Sequence, residues 1–202
     1  MKYLAIDTSG DLLVLLENNG ETLVKRLIGS QTKHSLTLMP FIEEILEEAK
    51  ITLDELDFFA VVTGPGSFTG IRIGVATIKA LCLATGKNAL QVTSFDLLAY
   101  TDNAPQNCLC LIDANHDNYY CAGYKEKVVT IAPCFLTAEQ VKGYAREYQI
   151  CSSVTLPFEN LFVCDLVGGM KNAIKAKIDN IGGYNEIEPL YVKRSQAEEE
   201  SC

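Results

Sequence analysis

The chain has 202 residues, a formal net charge of -9 at pH 7 and 48% hydrophobic residues. This hydrophobic fraction is typical of globular proteins and excludes a disordered acidic chain, which would be poor in apolar residues. Because affinity for nucleic acid comes from Lys and Arg that neutralise phosphates, the acidic balance argues against a protein that binds RNA on its own. No apolar stretch reaches the ~18 residues that a membrane span needs, and Asp7 comes too early for the apolar core of a signal peptide. We therefore expect a cytoplasmic protein.

The first hundred residues predict one α/β unit. Apolar runs at 3–6, 12–16 and 22–27 indicate three strands, and Asn18-Asn19-Gly20 indicates a hairpin turn before the third. Apolar residues at helical spacing predict a helix from about His34 to Lys50, in which Pro40 either causes a kink or moves the start to near Leu38. Four more elements follow: a buried strand at 58–63, a helix that Ser67 or Thr69 caps and Gly86 ends, a short strand at 91–93 and a helix at 94–100.

The second half repeats this order after a polar linker at 101–107. Its predicted elements are strands at 108–112, 119–124 and 128–131, a helix at 137–148, a strand at 161–164 and a helix at 167–178. Strands first, then alternating helices and strands, is in both halves the pattern of a duplicated α/β fold. We predict an N-terminal lobe of residues 1–100 and a smaller C-terminal lobe of residues 101–202, with a tail that can pack back on the first lobe.

Eight cysteines are spread along the chain without any C-x-x-C spacing. An even number of cysteines would indicate disulfides in a small secreted domain, but this chain is long enough to bury a core. We expect reduced thiols, most of them buried as small hydrophobic side chains.

The helices that begin near His34 and Phe68 are apolar over a wider arc than contact with one sheet requires. The first confines its charges to Glu43, Glu44, Glu47 and Glu48, and the second carries only Arg72 and Lys79. Such helices are typical of an exposed apolar interaction surface, although ordinary core packing is the alternative. The residues predicted to form this surface are His34, Leu38, Met39, Ile42, Ile45, Leu46, Phe68, Ile71, Arg72, Val75 and Ile78. We expect Ile71→Glu or Ile42→Glu to block pairing and to leave the monomer folded.

The glycine-rich segment 64–74 does not match a known phosphate loop, neither G-x-x-x-x-G-K-[ST] nor G-x-G-x-x-G. It predicts a tight turn from strand to helix, in which Gly70 and Gly74 let another backbone approach closely. The residues of this turn are Gly64, Pro65, Gly66, Ser67, Thr69, Gly70 and Gly74.

A second turn, Asp7-Thr8-Ser9-Gly10, follows the first predicted strand. In actin-like ATPases a turn at this place cradles nucleotide phosphate with hydroxyl and N–H groups. A self-stabilising Asx turn is the alternative, and the sequence alone favours it. His34 would need a second metal ligand one helical turn later, where Leu38 stands, so we predict no metal and no cofactor.

The run Gly64-Pro65-Gly66-Ser67-Phe68-Thr69-Gly70-Ile71-Arg72-Ile73-Gly74-Val75-Ala76 resembles the TsaB (YeaZ) family, the non-catalytic subunits of the bacterial machinery that makes threonylcarbamoyladenosine in tRNA. Further similar segments are Ala5–Ser9, His34-Ser35, Leu38–Pro40, Val92–Ser94, Ile112–Ala114 and Pro189–Arg194. The resemblance implies an actin-like, ribonuclease H-like fold of two duplicated lobes, with mixed central sheets and flanking helices. It also implies that Asp7, Thr8, Ser9 and Gly10 form a vestigial phosphate loop.

The function that this resemblance implies is that of a pseudo-enzyme scaffold. The chain would activate the catalytic subunit TsaD in the modification of position 37 of tRNAs that read codons starting with A, and it would contact tRNA only indirectly. The apolar surface would bind TsaD, or a second copy when the chain is alone, and the ATPase TsaE would join the complex. TsaD carries a His-x-x-x-His metal pair on its first helix, whereas His34 and Leu38 stand in that register here.

One alternative function stays open. An active actin-like ATPase or small-molecule kinase could use Asp7 and Asp113, the acidic residues that follow the first predicted strand of each half. Asn115 stands where the TsaB family often has an Arg, a departure in the second half. Hydrolysis of ATP by the purified chain would favour this alternative.

Overall fold

The computed structural model describes residues 1–29 and 34–192. They form two compact units, one made of residues 1–93 and 174–189, the other of residues 94–173 and 190–192. This partition differs from the predicted lobes 1–100 and 101–202 in two places. The helix after residue 93 belongs to the second unit, and the chain returns to the first unit at 174–189.

The first unit holds a five-stranded mixed sheet. Its strands are β1 (Lys2–Asp7), β2 (Leu12–Asn18), β3 (Glu21–Leu27), β4 (Phe58–Val62) and β5 (Ala89–Val92), in the order β3-β2-β1-β4-β5. The first three strands are antiparallel neighbours, and β1, β4 and β5 run parallel. Asn19 and Gly20 both have positive φ between β2 and β3, which confirms the hairpin turn predicted there.

Helices α1 (His34–Ala49) and α2 (Phe68–Thr85) pack on this sheet and contact each other. α1 lies against β2 and β3 with Pro40 inside it, and α2 lies against β1 and β4. The Ser67 side chain accepts the Gly70 N–H at the start of α2, and Gly86 ends the helix in the left-handed conformation, as the sequence predicts. The core between helices and sheet is built from Leu4, Ile6, Leu12, Val14, Leu38, Ile42, Ile45, Phe59, Val61, Ile71, Val75 and Ile78, among others.

The second unit repeats the same sheet. Its elements are α3 (Ser94–Ala99), β6 (Asn107–Asp113), β7 (Asn118–Lys125), β8 (Val128–Thr137), α4 (Ala138–Tyr144), β9 (Gln149–Ser152), β10 (Leu161–Val163) and α5 (Leu166–Ala176), the last of which continues into the first unit. The strand order is β10-β9-β6-β7-β8, with β6, β7 and β8 antiparallel and β6, β9 and β10 parallel. This order repeats that of the first sheet, so the predicted duplication is confirmed.

Two predicted elements of the second unit needed correction. The helix predicted at 137–148 ends at Tyr144, and an unpredicted strand, β9, begins at Gln149. The reciprocal cap between Thr137 and Gln140 does start the helix as predicted, with hydrogen bonds of 2.8 and 3.3 Å. The third predicted strand, at 128–131, extends to Thr137.

From the sequence we expect no apolar stretch long enough to cross a membrane, but α2 has that length. Its 18 residues are long and apolar enough, by length and composition alone, to cross a membrane. Seven of them are buried within the protein, including Ile71, Val75 and Ile78 in the core shared with the sheet. The core helices of globular proteins have the same composition.

The seven cysteines that the structure describes carry free thiols, and six of them are buried. Burial raises the pKa of Cys82 to about 11 and that of Cys121 to about 12. Cys82 and Cys121 are therefore protonated at neutral pH and unreactive as nucleophiles. The expectation that most cysteines are buried is confirmed for six of the seven described positions, and Cys202 lies outside the described residues.

Candidate functional site

The turn after β1 is buried, although it consists of polar residues. Asp7, Thr8 and Ser9 are each at most 7% exposed. Asp7 Oδ1 accepts the backbone N–H of Ser9 at 2.8 Å, which is the Asx turn that the sequence favoured. Burial raises the pKa of the Asp7 carboxyl, whereas the hydrogen bonds from Ser9 and the charge of His34 oppose that rise.

The segment Gly64–Gly70 lies directly against this turn. The Ser67 N–H donates to the Ser9 carbonyl at 2.6 Å, and the Thr8 hydroxyl donates to the Gly70 carbonyl at 2.7 Å. The loop begins at a cis peptide bond between Gly64 and Pro65. Two segments that are distant in the sequence therefore meet through their main chains at the carboxyl ends of β1 and β4.

Three glycines make this approach possible. A Cβ atom at Gly66 would overlap the Ser9 carbonyl oxygen, one at Gly70 the Thr8 carbonyl oxygen, and one at Gly74 the Thr8 hydroxyl oxygen. The close backbone approach predicted for Gly70 is thus confirmed, whereas at Gly74 it is the Thr8 side chain that lies close. The backbone that approaches is the turn predicted to be a vestigial phosphate loop.

This arrangement decides what the turn can do chemically. The Thr8 hydroxyl and the Ser9 carbonyl are engaged by the chain itself, and Thr8 is fully buried. A phosphate group would have to displace the Gly64–Gly70 loop to reach the Thr8 hydroxyl. The geometry fits a structural contact that holds the start of α2.

Asp113, the second acidic residue of the ATPase alternative, ends β6 as Asp7 ends β1. Its side chain is exposed, and Oδ1 accepts the Asn115 N–H at 2.8 Å. Asn115, His116 and Asp117 all have positive φ in the turn that follows. Among the residues that the structure describes, no group of three or more His, Cys, Asp and Glu side chains could hold a metal ion.

The predicted interaction surface divides into a buried part and an exposed part. Leu38, Ile42, Ile45, Ile71, Val75 and Ile78 are buried in the core of the first unit. These six residues face the sheet because they form one stripe on each helix, and they cannot contact a partner directly. Ile71→Glu or Ile42→Glu would bury a charge in the core, so the expectation that such variants stay folded is wrong.

The remaining predicted residues are accessible. Met39 is 42% exposed, Phe68 is 36% exposed, and Arg72 is exposed with its guanidinium 3.9 Å above the Phe68 ring. His34 and Leu46 are half-buried. Sequence reasoning missed Leu36 and Leu83, which are each 70% exposed on the same two helices. We call Leu36, Met39, Phe68, Arg72 and Leu83 the α1–α2 face.

Charge is distributed unequally beside this face. Glu43, Glu44, Glu47 and Glu48 are all exposed on α1. Lys25 of β3 pairs with Glu48 at 2.9 Å and with Glu44 at 3.7 Å. Glu43 and Glu47 lie next to Glu44 and Glu48 on α1, on the edge of the helix farther from Lys25. On α2 the charged residues are Arg72 and Lys79. The two helices thus present opposite charges next to exposed apolar side chains.

Both units contain three antiparallel strands followed by two parallel ones, and in each unit the first strand ends with an aspartate. This repeated arrangement defines a duplicated actin-like protein. The family profile described as TsaD, tRNA N6-adenosine threonylcarbamoyltransferase, matches residues 28–198. The chain belongs to this family, and its relatives place it in the TsaB (YeaZ) branch.

Curated relatives named tRNA threonylcarbamoyladenosine biosynthesis protein TsaB are similar to this chain. The Haemophilus influenzae protein is 29% identical over 134 residues, which are 63% of this chain and 56% of the relative. The Bacillus subtilis protein is 30% identical over 129 residues, which are also 63% of this chain and 56% of the relative. The chain thus spans little more than half the length of these relatives.

A solved structure shows the same fold. YeaZ from Pseudomonas aeruginosa superposes with a TM-score of 0.76 at 22% identity, over 94% of this chain and 99% of that one. At this identity the likeness supports the fold and leaves function to be argued from the site.

Proposed function

We propose that this chain is a non-catalytic scaffold subunit in the formation of threonylcarbamoyladenosine in tRNA, and that it acts in the cytoplasm. The observation that carries the proposal is the α1–α2 face, an exposed apolar surface on a lobe whose phosphate turn is filled by its own loop. The names of the relatives, which specify threonylcarbamoyladenosine biosynthesis, supply the pathway.

The proposed partner is a TsaD-like catalytic subunit. Leu36 and Leu83 expose 70% of their surface, and Phe68 and Met39 expose more than a third. Removal of apolar surface from water yields about 25 cal/mol per Å² before the costs of association are subtracted. The face therefore gains from burial against a second chain, and a TsaD-like subunit with the same actin-like lobe offers equivalent helices.

The same face supports self-association when the chain is alone. We infer a two-fold interface in which α1 of one copy packs against α2 of its partner. Glu43 and Glu47 would then approach Arg72 and Lys79 of the second copy, so the charges beside the apolar residues are self-complementary. A TsaE-like ATPase would join the complex with the catalytic subunit, and tRNA would be contacted only through the assembly.

Affinity purification from the source cell tests this function. A tagged chain should bring the TsaD-like subunit with it, and depletion of the chain should lower the threonylcarbamoyladenosine content of tRNA measured by mass spectrometry. Unchanged tRNA modification after depletion would contradict the proposal. ATP hydrolysis by the purified chain, abolished by Asp7→Asn, would establish the ATPase alternative instead.

A further inference from the structure

The Asp7–Gly10 turn contacts the first two turns of α2, the part of that helix that carries Phe68 and Arg72. We propose that Thr8 is a positioning residue, whose side chain fixes the start of α2 and thereby the orientation of the α1–α2 face. The inference rests on the proposed function of that face as a docking surface. The Asp7–Gly10 turn, which occupies the position of a phosphate loop, would thus contribute to recognition of a protein partner.

Two contacts of one side chain carry the inference. The Thr8 hydroxyl donates to the Gly70 carbonyl at 2.7 Å, and its oxygen occupies the space that a Cβ atom at Gly74 would need. Gly70 and Gly74 are one helical turn apart, so the Thr8 side chain packs directly against the backbone of the first two turns of α2. A movement of Thr8 must therefore move the helix backbone.

A third contact joins the main chains on the other side of the same turn. The Ser67 N–H donates to the Ser9 carbonyl at 2.6 Å, and Ser67 in turn caps α2 through the Gly70 and Ile71 N–H groups at 3.2 and 2.9 Å. Phe68 lies between the residues held by Ser9 and by Thr8. The backbone on both sides of this exposed aromatic residue is thus tied to the turn.

Thr8→Val is the substitution that separates this role from general packing. Valine has the shape of threonine, but a methyl group cannot stay 2.7 Å from a carbonyl oxygen. Carbon–oxygen contacts lie at about 3.3 Å or more, so the start of α2 would have to retreat by roughly 0.6 Å. Thr8→Ser keeps the donor and should behave like the wild type.

Thr63→Val is the matched control. Thr63 is also buried, and its hydroxyl donates to a backbone carbonyl, that of Val92, at 3.3 Å. This contact joins the end of β4 to β5 and does not touch α2. Loss of a buried hydroxyl donor is therefore common to both variants, and displacement of α2 is specific to Thr8→Val.

Two measurements are compared across the three variants. Hydrogen exchange of the Ser67 amide reports the contact between loop and turn, and sedimentation reports association with the TsaD-like subunit and with a second copy. We expect about tenfold faster exchange and about tenfold weaker association for Thr8→Val, the effect of one net hydrogen bond, with Thr8→Ser and Thr63→Val close to wild type. If Thr8→Val does not fold, Thr8→Ala against Thr8→Ser makes the same comparison without the steric overlap.

The outcomes separate the two proposals. Unchanged Ser67 exchange in Thr8→Val, or equal loss of association in Thr63→Val, would overturn the positioning role. Failure of the wild-type chain to associate with either partner would instead refute the docking function. Faster exchange in Thr8→Val with unchanged association would show that the turn holds α2 but does not orient the α1–α2 face, which also overturns the inference.

Discussion

Thr8 and Gly70 lie 62 residues apart in the chain, yet the Thr8 hydroxyl donates to the Gly70 carbonyl at 2.7 Å and the two backbones leave no space for a Cβ atom. The contact gives a physical reason for the glycine at position 70. Any side chain there would force the start of α2 away from the turn that follows β1.

The first prediction concerns this glycine. We expect Gly70→Ala to lower the free energy of unfolding by about 1–3 kcal/mol or more, because the added methyl group overlaps the Thr8 carbonyl. Gly10→Ala is the matched control in the same turn, where no atom lies within 4 Å of an added Cβ. It should change stability by less than about 0.5 kcal/mol. Urea denaturation of both variants measures the difference, and equal effects would contradict the close approach.

Much of the fold follows from local sequence patterns. The hairpin at Asn19 and Gly20, the capped start of α2 at Ser67 and its end at Gly86 all depend on nearest neighbours, and all three were predictable. Strand β9 was not, because Gln149–Ser152 contains only two apolar residues and follows directly on a helical pattern. Its pairing with β6 depends on residues about forty positions earlier.

The candidate site was predictable in its parts but not in its contacts. The glycine spacing indicated that a backbone approaches Gly70, but no local pattern identifies Thr8 as the partner. Likewise, periodicity shows how wide the apolar arc of α1 is, but it does not tell which edge faces the sheet. Ile42 and Met39 both belong to that arc, and only the packing of α1 on β2 and β3 buries the first and exposes the second.

The second prediction uses that contrast. Met39→Glu should leave the fold intact and weaken association by about a hundredfold, because an interface would bury an unpaired charge. Ile42→Glu places the same charge in the core and should lower the free energy of unfolding by more than about 3 kcal/mol. Circular dichroism checks the fold, and sedimentation with the TsaD-like subunit checks association. Normal association of a folded Met39→Glu variant would exclude the α1–α2 face as the docking surface.

The third prediction concerns the acidic residues of α1. Reversal of charge at Glu43 and Glu47 should weaken self-association, because both would then repel Arg72 and Lys79 of the second copy. The effect should diminish as salt concentration rises, since exposed charges are screened. Reversal at Glu44 and Glu48 is the control, because these residues pair with Lys25 within the chain. Equal weakening by both double variants would show that net charge, and not the arrangement of helices, governs association.

The last prediction concerns the pH dependence of stability at Asp7. Burial raises the pKa of this carboxyl in the folded chain, against the opposing influence of Ser9 and His34. The folded state therefore retains a proton that the unfolded chain releases between the ordinary carboxyl pKa and the raised value. The stability that protonated Asp7 provides is complete below the ordinary pKa and is lost as pH rises through the raised one.

Asp7→Asn cannot ionise, and its Oδ1 can still accept the Ser9 N–H that Asp7 accepts at 2.8 Å. We therefore expect the free energy of unfolding of Asp7→Asn, relative to the wild type, to increase from acidic to neutral pH. Asp113→Asn is the matched control for removal of an Asx-turn carboxylate, because Asp113 makes the same contact to Asn115 at 2.8 Å from an exposed position. Urea denaturation at several pH values measures both trends. A constant difference between Asp7→Asn and the wild type would contradict a buried carboxyl that is hard to ionise, and a decreasing one would mean that the negative charge of Asp7 stabilises the folded turn.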